Sequence, residues 1–177
     1  MIWLIVIAVV AIAVAGLPLF RGGVVPPAGS VAPDFTLPRQ DGTPVHLAGL
    51  RGQWVVLYFY PRDNTPVCTL EARNFQLSLE EFAKRNAVIL GVSVDSVDSH
   101  QNFCQSESLG FHLLSDRDGK VARSYGSLTN FGVVKVASRR TFLIDPQGRL
   151  VRSFLSVDAK VHNQELLAAL DAARAAA

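Results

Sequence analysis

Apolar and polar positions follow three different rhythms along this chain. Residues 2–20, IWLIVIAVVAIAVAGLPLF, carry no charge and end at Arg21. As a helix such a run spans roughly 28 Å, about the hydrocarbon thickness of a bilayer. It lacks the polar stripe of a helix lying on a domain surface. The pattern therefore predicts a transmembrane helix over residues 1–21, a single-pass N-terminal membrane anchor. A cleaved signal peptide is the competing reading, with Ala13-Val14-Ala15 as a small-x-small site, but no Lys or Arg precedes the apolar run. Arg21 on the C-terminal flank weights the orientation toward a cytoplasmic domain. Residues 22–31 are rich in Gly and Pro and read as a linker. The folded domain is expected over 32–177.

Within that domain the rhythm shifts between strand and helix periods. Residues 34–37 and 43–47 read as short strands around Gln40-Asp41-Gly42, an N-terminal β-hairpin whose second strand Pro44 confines to an edge. Residues 54–60, WVVLYFY, form a continuous apolar run of the kind buried on both sheet faces, stopped by Pro61. Thr65-Pro66 offers an N-cap followed by proline at the first helical position, and a helix is expected from there to about Arg85. A second buried strand follows over 87–94, then a helix over 97–108 and a short helix within 116–125. Strands over 141–144 and 150–155 flank the turn Asp145-Pro146-Gln147-Gly148, and an Ala/Leu-rich helix over 163–175 closes the chain. Alternating β and α units predict an α/β domain, a central mixed sheet flanked by helices.

Composition narrows the chemistry by exclusion. A net charge of +2 over 177 residues, with no dense Lys/Arg run interleaved with aromatics, gives nucleic-acid binding no support. Two cysteines are too few for a disulfide scaffold. The four histidines, His46, His100, His112 and His162, are scattered without metal-ligand spacing, so neither a metal nor a cofactor is expected.

Cys68 stands apart. It falls just inside the helix after the first central strand, where ligand sites of open α/β sheets lie. First-turn N–H groups and the helix dipole there favour an anion, so thiolate, the nucleophilic form, is favoured. A buried, inert packing cysteine is the plain alternative.

The residues around it carry a resemblance. Pro61 to Cys68, PRDNTPVC, fit P-x-x-x-T-x-x-C, and the wider run VAPDFTLPRQDGTPVHL…WVVLYFYPRDNTPVCTLEA…VILGVSVDS…LLSD…RRTFLIDPQGRLV resembles the peroxiredoxin Q branch of the peroxiredoxins, also called bacterioferritin comigratory proteins. The likeness extends over about residues 31–175. It implies a thioredoxin-like fold, a monomer, and a thiol-dependent peroxidase reducing hydrogen peroxide and organic hydroperoxides. Cys68 would attack the peroxide and become a sulfenic acid. Thr65 would turn its hydroxyl toward the sulfur, besides serving as N-cap. Pro61 would shape and shield the loop, besides ending the strand. Val67 and Cys68 N–H groups would stabilise developing charge. The family's arginine, two residues before a Thr/Ser-aromatic pair, falls in register on Arg139; Arg140 should point to the opposite face, and a solvated edge charge is the plain alternative for either.

Position 73, where many members of the branch place a second cysteine, is Arg73. Cys104, within the helix over 97–108, resembles a second variant whose resolving cysteine sits there, which implies an intramolecular disulfide recycled by thioredoxin or a similar dithiol. A disulfide needs Cα atoms within about 7 Å, so helix ends would have to open if the reduced thiols lie further apart. Two rival functions are a membrane-anchored thioredoxin-like disulfide reductase and a non-enzymatic anchored scaffold. The first needs C-x-x-C, and Thr65 stands where its first cysteine would be.

Overall fold

A computed structural model describes residues 23–131 and 134–176. The elements in chain order are β1 (Thr36–Pro38), β2 (Pro44–His46), a 3-10 turn (Leu47–Leu50), β3 (Trp54–Phe59), α1 (Pro66–Leu77), α2 (Leu79–Lys84), β4 (Ala87–Ser93), α3 (Val97–Glu107), β5 (His112–Ser115), α4 (Lys120–Ser124), β6 (Leu128–Asn130), β7 (Lys135–Ala137), β8 (Arg140–Ile144), β9 (Leu150–Phe154) and α5 (His162–Ala175).

The central sheet has the order β5-β4-β3-β8-β9. β3, β4 and β5 run parallel, while β8 lies antiparallel to β3 and β9 antiparallel to β8. All six residues of β3 are buried because both faces of the sheet are covered. Strand alternation divides its side chains between two cores. Trp54, Val56, Tyr58 and Tyr60 join α1, α2, α3 and α5 through Ala72, Phe75, Phe82, Phe103 and Leu166. Val55, Leu57 and Phe59 join the other side with Leu37, Leu114, Ala122, Tyr125 and Phe142. Gly91 lies opposite Tyr58 in the β3–β4 register, where a Cβ would come within 2.7 Å of the tyrosine ring.

The helix expected from Thr65 to about Arg85 is two helices. The chain leaves helical geometry at Ser78, whose hydroxyl accepts a hydrogen bond from Asn163 of α5 at 2.7 Å. Residues 29–32 pair with the β8–β9 turn: Gly29 N donates to Leu150 O, Leu150 N to Ser30 O and Ala32 N to Gly148 O.

The transmembrane helix and the membrane localisation drawn from it are corrected. Among the described residues no helix is long and apolar enough to cross a membrane. The longest, α5, has 14 residues and carries Glu165, Asp171 and Arg174, so it is too short and too charged to span a hydrocarbon core of about 30 Å. Residues 1–21, on which that expectation fell, lie outside the described residues.

Candidate active site

The carboxyl end of β3 feeds a tight loop into α1. Tyr60 N still bonds to Val92 O at 3.1 Å, Pro61 ends the strand, and Asn64 takes a positive φ of 58°. Thr65 has the extended backbone of an N-cap, and Pro66 occupies the first turn of α1. The first bond of the helix runs from Thr69 N to Thr65 O. Geometry therefore leaves the N–H groups of Val67 and Cys68 without an intrahelical carbonyl. The Thr65 hydroxyl donates to Arg62 O at 3.1 Å, so in this arrangement its proton braces the loop.

Cys68 is buried, 2% exposed, in that first turn. Arg139 enters from just before β8. In the sheet register Arg140 pairs with Phe59 and Thr141 with Tyr58. Alternation then puts Arg139 and Thr141 on the α1 side, where Thr141 Oγ1 meets His162 Nε2 at 2.8 Å. Arg140 turns the other way and donates to Gly126 O. Arg139 Nη2 donates to Cys68 Sγ at 3.1 Å, and Nη1 bonds to Glu71 Oε2. One arm of a permanently charged, planar donor is thus aimed at the sulfur and the other at a carboxylate.

Glu71 did not figure in the sequence reading, although it lies three residues after Cys68 and therefore on the same face of α1. It is 1% exposed, and its Oε1 is buried without a partner among the described residues. Burial pushes its carboxyl up to about 7, against the opposing pull of the Arg139 guanidinium. Glu71 anchors one arm of the fork whose other arm touches the sulfur.

Cys104 sits in α3 within the same apolar cluster as Cys68, together with Tyr58, Tyr60, Phe75, Phe103 and Phe111. Both are free thiols. Burial, with the Asp63 carboxylate as a smaller influence, pushes the Cys104 thiol up to about 12. The structure thus gathers Cys68 and Arg139 into one contact, places Pro61 and Thr65 on the loop leading into it, and sets Cys104 on the neighbouring helix.

Comparison with known proteins adds a second line of observation. The AhpC/TSA family model matches residues 28–153. The "putative peroxiredoxin bcp" of Helicobacter pylori strain J99 is 47% identical over 146 residues, covering 80% of this chain and 96% of that protein. A crystal structure of a cysteine-to-serine variant of PrxQ from Xylella fastidiosa superposes with a TM-score of 0.80 at 35% identity, covering 86% of this chain and 99% of that one. Peroxiredoxin Q of Xanthomonas campestris, known as two different cysteine-to-serine variants, matches each time with a TM-score of 0.76 at 36% identity, covering 86% of this chain and 98 or 99% of that one. Its two replaced cysteines stand as far apart along that chain as Cys68 and Cys104 do along this one.

Proposed function

Since this chain belongs to the AhpC/TSA family and is a peroxiredoxin, a thiol-dependent peroxidase, we propose that Cys68 attacks the peroxide and that Cys104 resolves the product. The catalytic domain in this reading is residues 32–177. The Cys68 thiolate displaces alkoxide or hydroxide from the O–O bond of hydrogen peroxide or an organic hydroperoxide. The sulfur gains one oxygen and becomes a sulfenic acid, and the peroxide leaves as alcohol or water. Arg139 steadies the thiolate and then the oxygen arriving on it, while Val67 and Cys68 N–H groups face the charge that develops as the O–O bond breaks. Pro61 and Thr65 shape the loop that keeps bulk water from the sulfur. Cys104 then closes an intramolecular disulfide, which thioredoxin or a similar dithiol reduces.

The single observation that carries this reading is the 3.1 Å contact from Arg139 Nη2 to a buried sulfur in the first turn of α1. The purified full chain, given thioredoxin and its reductase, is expected to consume hydrogen peroxide continuously. Cys68→Ser should abolish this, and Cys104→Ser should complete one oxidation and then stall. Sustained turnover in Cys68→Ser would refute the assignment of the attacking sulfur. Sustained turnover in Cys104→Ser would refute the resolving role alone.

A further inference from the structure

The loop that leads into Cys68 is tied to the helix that carries Cys104 by a buried polar cluster which the chemistry above does not use. Asp63, 5% exposed, lies on the loop. Its Oδ1 accepts from the Tyr60 hydroxyl at 2.7 Å, and its Oδ2 accepts from the Ser99 hydroxyl at 2.7 Å and faces His100 Nδ1 at 2.9 Å. His100 is fully buried, and its Nε2 lies 3.2 Å from Leu114 O. Burial alone would raise the Asp63 carboxyl, but hydrogen bonds from His100, Tyr60 and Ser99 overcome this and hold it below the ordinary range. The pair is thus a buried carboxylate–histidine contact.

Such a pair adds little net stability compared with apolar residues of the same shape, but it disfavours arrangements that separate its partners. Here the partners are the peroxide-reactive loop and the first half of α3. The same junction holds a bond from Asp63 N to Asp95 Oδ2 at 2.9 Å and the N-cap bond from Ser99 N to Ser96 Oγ at 3.2 Å. His100 lies one helical turn before Cys104, on the same face.

We propose that Asp63 and His100, with Tyr60 and Ser99, form a latch on the resolving step, keeping α3 folded and Cys104 buried while Cys68 meets peroxide. The pair touches no reacting atom and acts through α3, so these are positioning residues, and the proposal rests on Cys104 being the resolving thiol. In that step the Cys104 sulfur attacks the Cys68 sulfenic sulfur. The S–S bond forms, the S–O bond breaks, and hydroxide leaves with the Cys104 proton as water; the Cys104 sulfur is oxidised and the sulfenic sulfur reduced. A second peroxide competes by transferring one oxygen to the sulfenate, giving a sulfinate and releasing alcohol or water. At a fixed peroxide concentration the ratio of disulfide to sulfinate therefore reads how often α3 opens.

The test uses the reduced full chain, hydrogen peroxide as oxidant, and mass spectrometry of quenched samples. Asp63→Asn keeps the side-chain shape and removes the charge, and is expected to raise the disulfide-to-sulfinate ratio about tenfold. Ser99→Ala removes one bond at a half-buried position and should raise it by a smaller factor, which keeps the test open if Asp63→Asn does not fold. The same substitutions placed on Cys104→Ser should leave first-round oxidation of Cys68 close to that of Cys104→Ser itself. A ratio that does not rise, or an equal loss of first-round oxidation, overturns the latch. If the unsubstituted chain forms no Cys68–Cys104 disulfide, the resolving role falls and the latch with it; a disulfide with an unchanged ratio overturns the latch alone.

Discussion

Cys68 and Cys104 share one apolar cluster and are nearly equally hidden, 2% and 8% exposed, yet the fold surrounds them with opposite chemistry. Cys68 begins a helix, where N–H groups point at it, and receives a guanidinium bond. Cys104 lies near the end of α3, where its own carbonyl accepts from Leu109 N and the helix dipole opposes negative charge. With its thiol pushed up to about 12, only about one molecule in 10⁵ would carry a Cys104 thiolate at pH 7. A solvent-exposed cysteine, with an ordinary value of about 8.5, is ionised to a few per cent. Exposure alone would thus raise the attacking species by about three orders of magnitude. Burial marks neither thiol as reactive; the charges and dipoles aimed at each one do.

The most severe way to break this contrast is to remove the sulfur that holds the favourable side. Cys68→Ser should reduce peroxide consumption to background, while Cys104→Ser should keep the first oxidation, measured as sulfenic acid trapped by dimedone. Next is Arg139→Ala, which strips the guanidinium from the sulfur and leaves Glu71 without its partner. Its second-order rate with hydrogen peroxide in stopped flow should fall about 10²-fold, the usual cost of one preorganised donor at a developing charge. Arg139→Lys should fall between the two, because an ammonium cannot span sulfur and carboxylate with a planar fork.

Glu71 sharpens the contrast through pH. Its folded value, about 7, lies above its ordinary 4.5, so the folded chain holds this proton more tightly than the unfolded chain. The resulting stabilisation is complete below pH 4.5 and is lost as pH rises through 7. Relative to Glu71→Gln, the unfolding free energy should therefore drop by about 3 kcal/mol between pH 4.5 and pH 8, measured by urea denaturation. No drop would mean that Arg139 keeps the carboxylate ionised throughout.

What was readable in advance follows from distance along the chain. The apolar run over 54–60 announces β3 because every residue meets core, and the motif ending at Cys68 lies within one loop. The membrane helix did not survive. β6 and β7 are three residues each and too short to display a period, and β5 is a four-residue strand, HLLS, directly after a loop. The break at Ser78 coincides with a bond from Asn163, a residue of α5 that comes near only in the packed fold. Glu71 was within reach, since i,i+3 spacing on a helix places it beside Cys68. Asp63 and His100 were not: neither spacing nor composition signals a bond between a loop and a helix that neighbouring strands bring together.

The smallest expected effect separates the two ends of α3. Its first half is held by the buried Asp63–His100 contact, whereas its last turn is tied to α1 by Arg73, whose guanidinium donates through both Nε and Nη2 to Glu107. The Arg73 side chain is 62% exposed, so water and salt screen this pair and its contribution is small. Arg73→Ala should therefore raise the rate of disulfide formation by about two- to fivefold, well short of the change expected for Asp63→Asn. About 1 M sodium chloride should speed the unsubstituted chain toward the same rate and leave Arg73→Ala nearly unmoved, because at that strength charges are screened within about 3 Å. If salt accelerates Asp63→Asn and the unsubstituted chain equally, the two ties act independently; if it no longer affects Asp63→Asn, the buried contact already governs opening and the surface pair only follows.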